Sequence, residues 1–449
     1  MSDSRSKPPP VALLCWFLVS WLAPATLYAG DGSEYTVYPQ PVESPQHTTP
    51  APPADARSTV VEPADTVASP LGWHDTDGVA GAESTLLEGN NVRLFTAETP
   101  PLPAVDCGPM LSCDFPLDLS EAPVTYTAAS QTNVFYWLNL FHDVTFRHGF
   151  DTAAGNFQVN TYGGGGVGGD RLETRLRYDV SCGSTVSIPP DGASGGVIVS
   201  PCTVGGTTRD TALDSTAVLH LAAHGLAERL VGGPGNVACL GHVQSPREGW
   251  ADWLGLLFTI ETGDTGTDPR PYATWFIGQP AGGNGVRGLP YSTDPAINDW
   301  TYETIFGSAD PFAIGAVWAE ALWRATWALI DLHGFDPDLA NAAGGAGNQR
   351  ILSYAIEGMK LGPCLPTFLD ARDALLAAAT TADANDVCPL WNAFAVMGLG
   401  TDATSVGPGS TQVTNGFAVP AECSALTSLF TDGFESGGCG GWTSVFPGC

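Results

Sequence analysis

The spacing of apolar residues along the chain changes near residue 213, and this change predicts two regions of different secondary structure. Residues 68–213 are rich in glycine and in short runs of β-type residues. One segment differs, since apolar side chains recur at helical spacing over 131–146 and predict a helix there. Over 214–403, longer helical patterns dominate. A strand-rich lobe followed by a helical lobe predicts an α+β fold with two lobes.

Four helices are predicted in the helical lobe from periodicity and from residues that favour helix ends. Asp214 or Ser215 can cap the first of them, which runs to a stop at Gly232 and Gly233, a typical pair of helix boundaries. The other three are predicted over 247–259, 313–331 and 368–379.

The two ends of the chain are predicted to lie outside the folded domain at 68–403. Residues 1–29 combine a basic start, an apolar run and small residues, the pattern of a cleaved export signal, which an uncleaved anchor shares. Residues 30–67 are rich in Pro, Thr, Ala and acidic residues. We expect a disordered linker there, because such a segment buries too little surface to offset its ordering entropy. Residues 404–449 form a tail rich in Gly, Ser and Thr.

The cysteine content agrees with export. Of the 11 cysteines, Cys15 lies within the signal, which leaves an even number for the exported chain and favours disulfides. Connectivity cannot be deduced from sequence alone, so we predict only near neighbours to pair. These pairs are Cys107–Cys113, Cys182–Cys202 and Cys364–Cys388. A zinc site of four cysteines is disfavoured, because the chain has no CxxC pair.

The charge balance excludes some partners. Lys and Arg number 17 against 47 Asp and Glu, a net charge of −30. Nucleic acids and anionic membrane surfaces are bound through clustered cations, so we expect neither as a partner. After the signal, no segment has the length and apolarity of a membrane span. The chain is therefore expected to be a soluble monomer, secreted or periplasmic.

Two histidines on the first predicted helix of the helical lobe indicate a metal site. His220 and His224 lie one turn apart on one face, where both imidazoles can bind one ion. Glu248 and Asp252 share a face of the next predicted helix. Glu248 can be a third ligand, and Asp252 can accept the free ring N–H of a ligating histidine. Two histidines, a glutamate and an open position are typical of a catalytic zinc site, so one Zn²⁺ ion is the predicted cofactor.

The chain resembles the fungalysin family of secreted zinc metallopeptidases, distant relatives of thermolysin, over about 68–403. The stretches that carry the resemblance include Asp214-Ser-Thr-Ala-Val-Leu-His-Leu-Ala-Ala-His-Gly, Phe135-Tyr-Trp-Leu-Asn-Leu-Phe-His-Asp and Glu248-Gly-Trp-Ala-Asp. The resemblance implies a zinc ion in the cleft between two lobes. It assigns the ligand roles to His220, His224 and Glu248. It makes Asp252 the partner of a ligating histidine.

The sequence departs from that family at the residue after the first histidine. The family has H-E-x-x-H, whose glutamate takes a proton from water and passes it to the leaving amine, whereas this chain has Leu221. Leucine has no titratable group, so proton transfer worth typically about 10²–10⁴-fold is lost. Glu228, one turn beyond His224, is the nearest carboxylate in sequence that could substitute. Phe312 stands where relatives commonly have a histidine, and only the linker stands where they carry a propeptide.

Three functions are compatible with these features. The first is a secreted pseudopeptidase that binds zinc and holds peptides or proteins in its cleft. The second is an active metalloendopeptidase with a substitute base, and the third is a structural or adhesive extracellular protein. Loss of the general base favours the first, and retention of Glu248 and Asp252 argues against the third. Substrate preference, calcium binding and the role of the tail stay open.

Overall fold

The computed structural model describes residues 30–47, 57–96 and 104–424. The helices in this part are α1 (Thr127–Arg147), α2 (Ser215–Leu230), α3 (Arg247–Leu257), α4 (Pro311–His333), α5 (Gly347–Leu361), α6 (Phe368–Ala382) and α7 (Val387–Val396). The strands are β1 (Glu34–Val37), β2 (Ser58–Val61), β3 (Val92–Thr96), β4 (Ser112–Cys113), β5 (Leu172–Leu176), β6 (Thr185–Ser187), β7 (Gly196–Val199), β8 (Cys202–Val204), β9 (Thr207–Arg209), β10 (Thr404–Ser405) and β11 (Val413–Thr414). Strands β1–β9 and helix α1 precede α2 in the chain, and the other helices follow α2. The predicted α+β class is confirmed.

A four-stranded sheet forms the part of the strand-rich region that faces the helices. Its strand order is β3–β5–β7–β6, in which β3, β5 and β7 are parallel and β6 is an antiparallel edge strand. Val197 and Val199 alternate with less buried neighbours along β7, so one face of the sheet contributes to the core. Both β6 and β7 contact α2. The edge of the sheet is thereby placed beside the helix with the two histidines.

Helix α3 lies between α2 and α4, and glycines allow it to approach both closely. A Cβ atom on Gly249 of α3 would lie only 2.4 Å from the Gly315 carbonyl oxygen of α4. On the other side, a Cβ on Gly255 would lie 3.0 Å from the Thr216 carbonyl oxygen of α2. Larger residues at these crossings would push the helices apart. The close crossing fixes the backbone that carries Glu248 relative to α2.

The predicted helices are confirmed, and two helices escaped prediction. α1 covers the segment predicted over 131–146, and α2, α3, α4 and α6 cover the four predicted in the helical lobe. α5 begins in a glycine-rich stretch, and α7 carries Pro389 in its first turn, where proline is tolerated. In the described part of the chain, no helix has both the length and the apolarity that a membrane crossing requires.

The segment expected to be a disordered linker belongs to the fold in its described parts, 30–47 and 57–67. β1 pairs antiparallel with β2 and parallel with β4. Tyr35, Val37 and Tyr38 are fully buried. In these described parts the expectation of disorder is wrong, because β1 buries every second residue against the fold and so gains stabilisation from apolar burial.

The predicted tail is also part of the fold as far as residue 424. Gln244 donates its backbone N–H to the Pro408 carbonyl at 2.9 Å and its side-chain amide to the Ser410 carbonyl at 2.8 Å. A disulfide joins Cys388 of α7 to Cys423. Composition alone suggested a boundary at 404, but these bonds place it at least twenty residues later. The predicted export signal and the last cysteines lie outside the described residues.

Two of the three predicted disulfides are confirmed and the third is wrong. Cys107–Cys113 and Cys182–Cys202 form as predicted. Cys364 pairs instead with Cys239, 125 residues away. The error has a physical reason, since α2 and α5 contact each other and bring together two loops that are far apart in sequence.

We expect Tyr35→Ala to lower the free energy of unfolding by about 3–5 kcal/mol, as for other large buried aromatic side chains. The phenol ring is fully buried, and its hydroxyl contacts His74 Nε2 at 2.8 Å. Urea denaturation of the purified protein measures the change. The matched control is Val61→Ala on β2, where the side chain is 58% exposed and a change within about 0.5 kcal/mol is expected. Equal small effects of both substitutions would contradict a structural role for this segment.

Candidate metal centre

Helix α2 presents the two predicted histidines to the cleft. Asp214 caps the helix, because its carboxylate accepts the Ala217 backbone N–H, a common way to satisfy an otherwise unpaired donor. One turn separates His220 and His224, and their Nε2 atoms lie 3.1 Å apart. The His224 ring is buried and the His220 ring is slightly exposed. The structure therefore brings both rings to one point, as their spacing predicts.

Glu248, in the first turn of α3, completes the group. Its Oε2 atom lies 3.1 Å from His220 Nε2 and 3.5 Å from His224 Nε2. The ligand atoms of the three residues all lie within 4.8 Å of one another. The same oxygen is buried and makes no well-directed hydrogen bond. Two imidazoles and a carboxylate that converge in this way fit one ion of the zinc type.

Asp252, one turn further along α3, contacts the His220 ring on its Nδ1 side. Its Oδ1 atom lies 2.9 Å from His220 Nδ1, so the ring N–H on that side donates to the carboxylate and leaves Nε2 free as a ligand. Arg287 donates to the two oxygens of Asp252 at 2.6 and 2.8 Å, and the Tyr291 hydroxyl donates at 2.8 Å. The predicted position of Asp252 behind a candidate ligand is thus observed.

Arg287 and Tyr291 are site residues that sequence reasoning missed. Both lie between α3 and α4 in an irregular segment that has no periodicity. Local periodicity gives no signal for either residue, because their role depends on contacts with Asp252, which lies 35 and 39 residues away in the sequence. Arg287 also lies over the ring of Phe312, 4.8 Å from its centroid, which links it to the cleft wall.

The electrostatics of the group favour cation binding. Burial lowers the pKa of His224 to about 4, and the neighbouring His220 contributes to the shift. Burial raises the pKa of Asp252, but Arg287 outweighs this effect and brings the value to about 2. Burial also raises the pKa of Glu248, and the two histidines overcome it, so that this carboxyl titrates well below its ordinary range. A neutral His224 and an ionised Glu248 are the forms that bind metals, and an ionised Asp252 can accept the ring N–H of His220.

A cleft of about 480 Å³ opens beside the candidate ligands. Leu221, which directly follows His220 in the sequence, lies in its wall and is 7% exposed. Phe312, 47% exposed, lines the same cleft. The edge strand β6 contributes Thr185 and Val186. The cleft wall next to the candidate ligands is therefore apolar at Leu221 and Phe312.

Glu228, the nearest carboxylate considered as a substitute base, is bound to Arg247. Its Oε1 atom accepts a hydrogen bond from Arg247 Nε at 2.7 Å. Burial raises the pKa of Glu228, and Arg247 partly offsets the shift. Glu228 is not among the residues that line the cleft, whereas Arg247 and Glu248 are. The structure does not bring this carboxylate to the open side of the group.

The sequence of this chain is similar to those of known extracellular metalloproteinases. The sequence profile described as fungalysin metallopeptidase (M36) matches residues 34–403. An extracellular metalloproteinase 2 of Phaeosphaeria nodorum is 34% identical, over 84% of this chain and 59% of its own length. Extracellular metalloproteinases MEP of Pyricularia oryzae and Fusarium vanettenii are each 33% identical, over 83% and 88% of this chain and 59% and 62% of their own. The chain thus spans about three fifths of the length of these relatives.

We expect Asp252→Asn to lower the free energy of unfolding by about 3–5 kcal/mol, because Arg287 would be left buried without its counter-charge. Thermal and urea denaturation of the metal-free protein measure the loss. The matched control is Asp299→Asn at an exposed position, where the expected change is within about 0.5 kcal/mol. A loss at Asp252 no larger than at Asp299 would show that the ion pair contributes nothing to the fold.

Proposed function

Since the chain belongs to the fungalysin metallopeptidase family (M36), we propose that it is a secreted, zinc-binding member that holds peptides or proteins in its cleft without cutting them efficiently. The observation that carries the proposal is the apolar Leu221 in the cleft wall next to an intact set of candidate ligands. His220, His224 and Glu248 would hold the ion. When bound, zinc supplies Lewis-acid polarisation of a carbonyl and a lower pKa for water.

The chain's own residues account for the expected loss of turnover. Peptide hydrolysis in this family requires a side chain beside the first histidine that accepts a proton from water and later donates it to the leaving amine. Leu221 offers neither a lone pair nor a proton. Phe312, which lines the same cleft, likewise offers no hydrogen-bond donor. Without this proton transfer, the rate is expected to fall by about 10²–10⁴-fold.

The cleft retains features suited to an extended peptide. β6 is the edge strand of its sheet, and Thr185 and Val186 of this strand line the cleft. The edge of a strand offers backbone N–H and C=O groups that an extended peptide can pair with. Apolar side chains of the wall, among them Leu221 and Phe312, can contact side chains of such a peptide. Peptides or unfolded protein segments are therefore the proposed ligands.

Export is supported by two independent features. All eight cysteines in the described residues form disulfides, which persist in oxidising compartments. The relatives named above are described as extracellular. Together with the apolar run that follows a basic start in residues 1–29, these features favour secretion through a cleaved signal.

The alternative of an active peptidase that uses Glu228 as its base finds less support. A general base must come within hydrogen-bond reach of the water it deprotonates. Glu228 instead pairs with Arg247 at 2.7 Å and lies outside the cleft lining. To act as a base, it would have to leave this ion pair and reach past His224.

We expect Leu221→Glu to raise the rate of protein hydrolysis by about 10²–10⁴-fold, because it restores the missing proton-transfer group. Cleavage of a fluorescent casein by the zinc-loaded protein, with and without a chelator, measures the gain. Leu221→Gln is the matched control, since glutamine has a similar shape but cannot accept the proton. A second control combines Leu221→Glu with His224→Ala, which removes a ligand and should abolish the gain. Chelator-sensitive cleavage by the unaltered protein at the rate of Leu221→Glu would contradict the proposed function.

A further inference from the structure

Arg247, the residue immediately before the candidate ligand Glu248, connects two carboxylates from two helices. Its Nε donates to Glu228 Oε1 of α2 at 2.7 Å, and its Nη1 donates to Glu248 Oε1 of α3 at 2.8 Å. The three side chains are mostly buried, with exposures of 27% for Arg247, 14% for Glu228 and 8% for Glu248. Partial burial strengthens these charge-assisted bonds relative to an exposed pair.

The two oxygens of Glu248 face different partners. Oε1 accepts from Arg247, whereas Oε2 lies 3.1 Å from His220 Nε2 and 3.5 Å from His224 Nε2. A carboxylate is free to rotate about its last bond and to offer either oxygen or both. The bond from Arg247 removes that freedom, so one oxygen faces the histidines.

Arg247 alone would be an unfavourable neighbour for a metal site. Its positive charge next to the ligands would repel a divalent cation in a partly buried environment, where charges interact more strongly than in water. Glu228 offsets that charge and also fixes the guanidinium on its Nε side. Glu228 thus serves both the charge balance and the orientation of Arg247.

We propose that Glu228 and Arg247 are positioning residues that orient Glu248 as a one-oxygen ligand and so set the metal affinity of this site. The proposal rests on the proposed function, in that His220, His224 and Glu248 hold a metal ion. It gives Glu228 a different role from that of a substitute base. Glu228 acts on the ligand through Arg247 and does not contact the substrate.

The hydrogen bonds that run from Glu228 through Arg247 to Glu248 form a relay, and a double-mutant cycle on zinc affinity tests it. In the full chain, Glu228→Gln should weaken Zn²⁺ binding about 10-fold or more, the effect typical of partners that orient a metal ligand. In an Arg247→Gln background, where the relay is already broken, the same substitution should change the affinity by less than about 2-fold. Competition with a chromophoric chelator measures each affinity. The matched control is Glu357→Gln, which breaks a distant ion pair between Glu357 and Lys360 and should leave Zn²⁺ affinity unchanged.

The visible absorption of the Co²⁺-loaded protein provides a second readout, because it follows the number and arrangement of the donor atoms. The proposal predicts an altered spectrum for Glu228→Gln and Arg247→Gln and an unaltered one for Glu357→Gln. Glu228 could also act only through its charge, without orienting Glu248. An equal loss of Zn²⁺ affinity in both backgrounds, or a loss with an unchanged Co²⁺ spectrum, would show this and overturn the relay.

If the unaltered protein binds Zn²⁺ but Glu228→Gln binds equally well, the relay alone is wrong. If the unaltered protein binds no Zn²⁺, the proposed metal site is wrong as well.

Discussion

The buried carboxylate of Asp252 is the interaction on which the rest of the site depends. A fully buried charge is costly unless it is both paired and hydrogen bonded, and this one has every partner it needs. Arg287 neutralises it with two donors, and Tyr291 and His220 each contribute one contact. Because these partners come from α2 and from the segment after α3, satisfying one charge fixes three parts of the chain and sets the His220 ring.

Helix packing gives the site its second constraint. Gly315 of α4 lies opposite Glu248, and a Cβ there would lie 2.5 Å from the Cβ of Glu248. On the other side of α3, Gly255 allows close contact with α2. The candidate ligands of α2 and α3 therefore lie together because α3 packs closely against both α2 and α4. The buried charge of Asp252 and the close backbone crossings thus both constrain α3, which carries Glu248 and Asp252.

The parts of the site that sequence revealed are those encoded by helical spacing. The turn between His220 and His224, and that between Glu248 and Asp252, follow from local periodicity. Arg287 escaped because it lies 35 residues from Asp252 in a segment without regular structure. The pairing of Cys364 escaped for a related reason, since it depends on how two helices pack. In both cases the deciding contact is tertiary, so no local pattern encodes it.

Leu221 differs from Asp252 and Glu248 in how strongly the stability of the fold depends on its identity. Replacing Asp252 would leave a buried guanidinium without its counter-charge. Glu248 accepts a hydrogen bond from Arg247 through Oε1, and its Oε2 lies 3.1 Å from His220 Nε2. At position 221 no such partner is bound, and an apolar side chain in the wall of the cleft leaves no buried charge unmatched. The identity of residue 221 is therefore not constrained by the bonds that hold Asp252 and Glu248. Leu221 directly follows the candidate ligand His220 in the sequence, but it is energetically separate from the groups that position the candidate ligands.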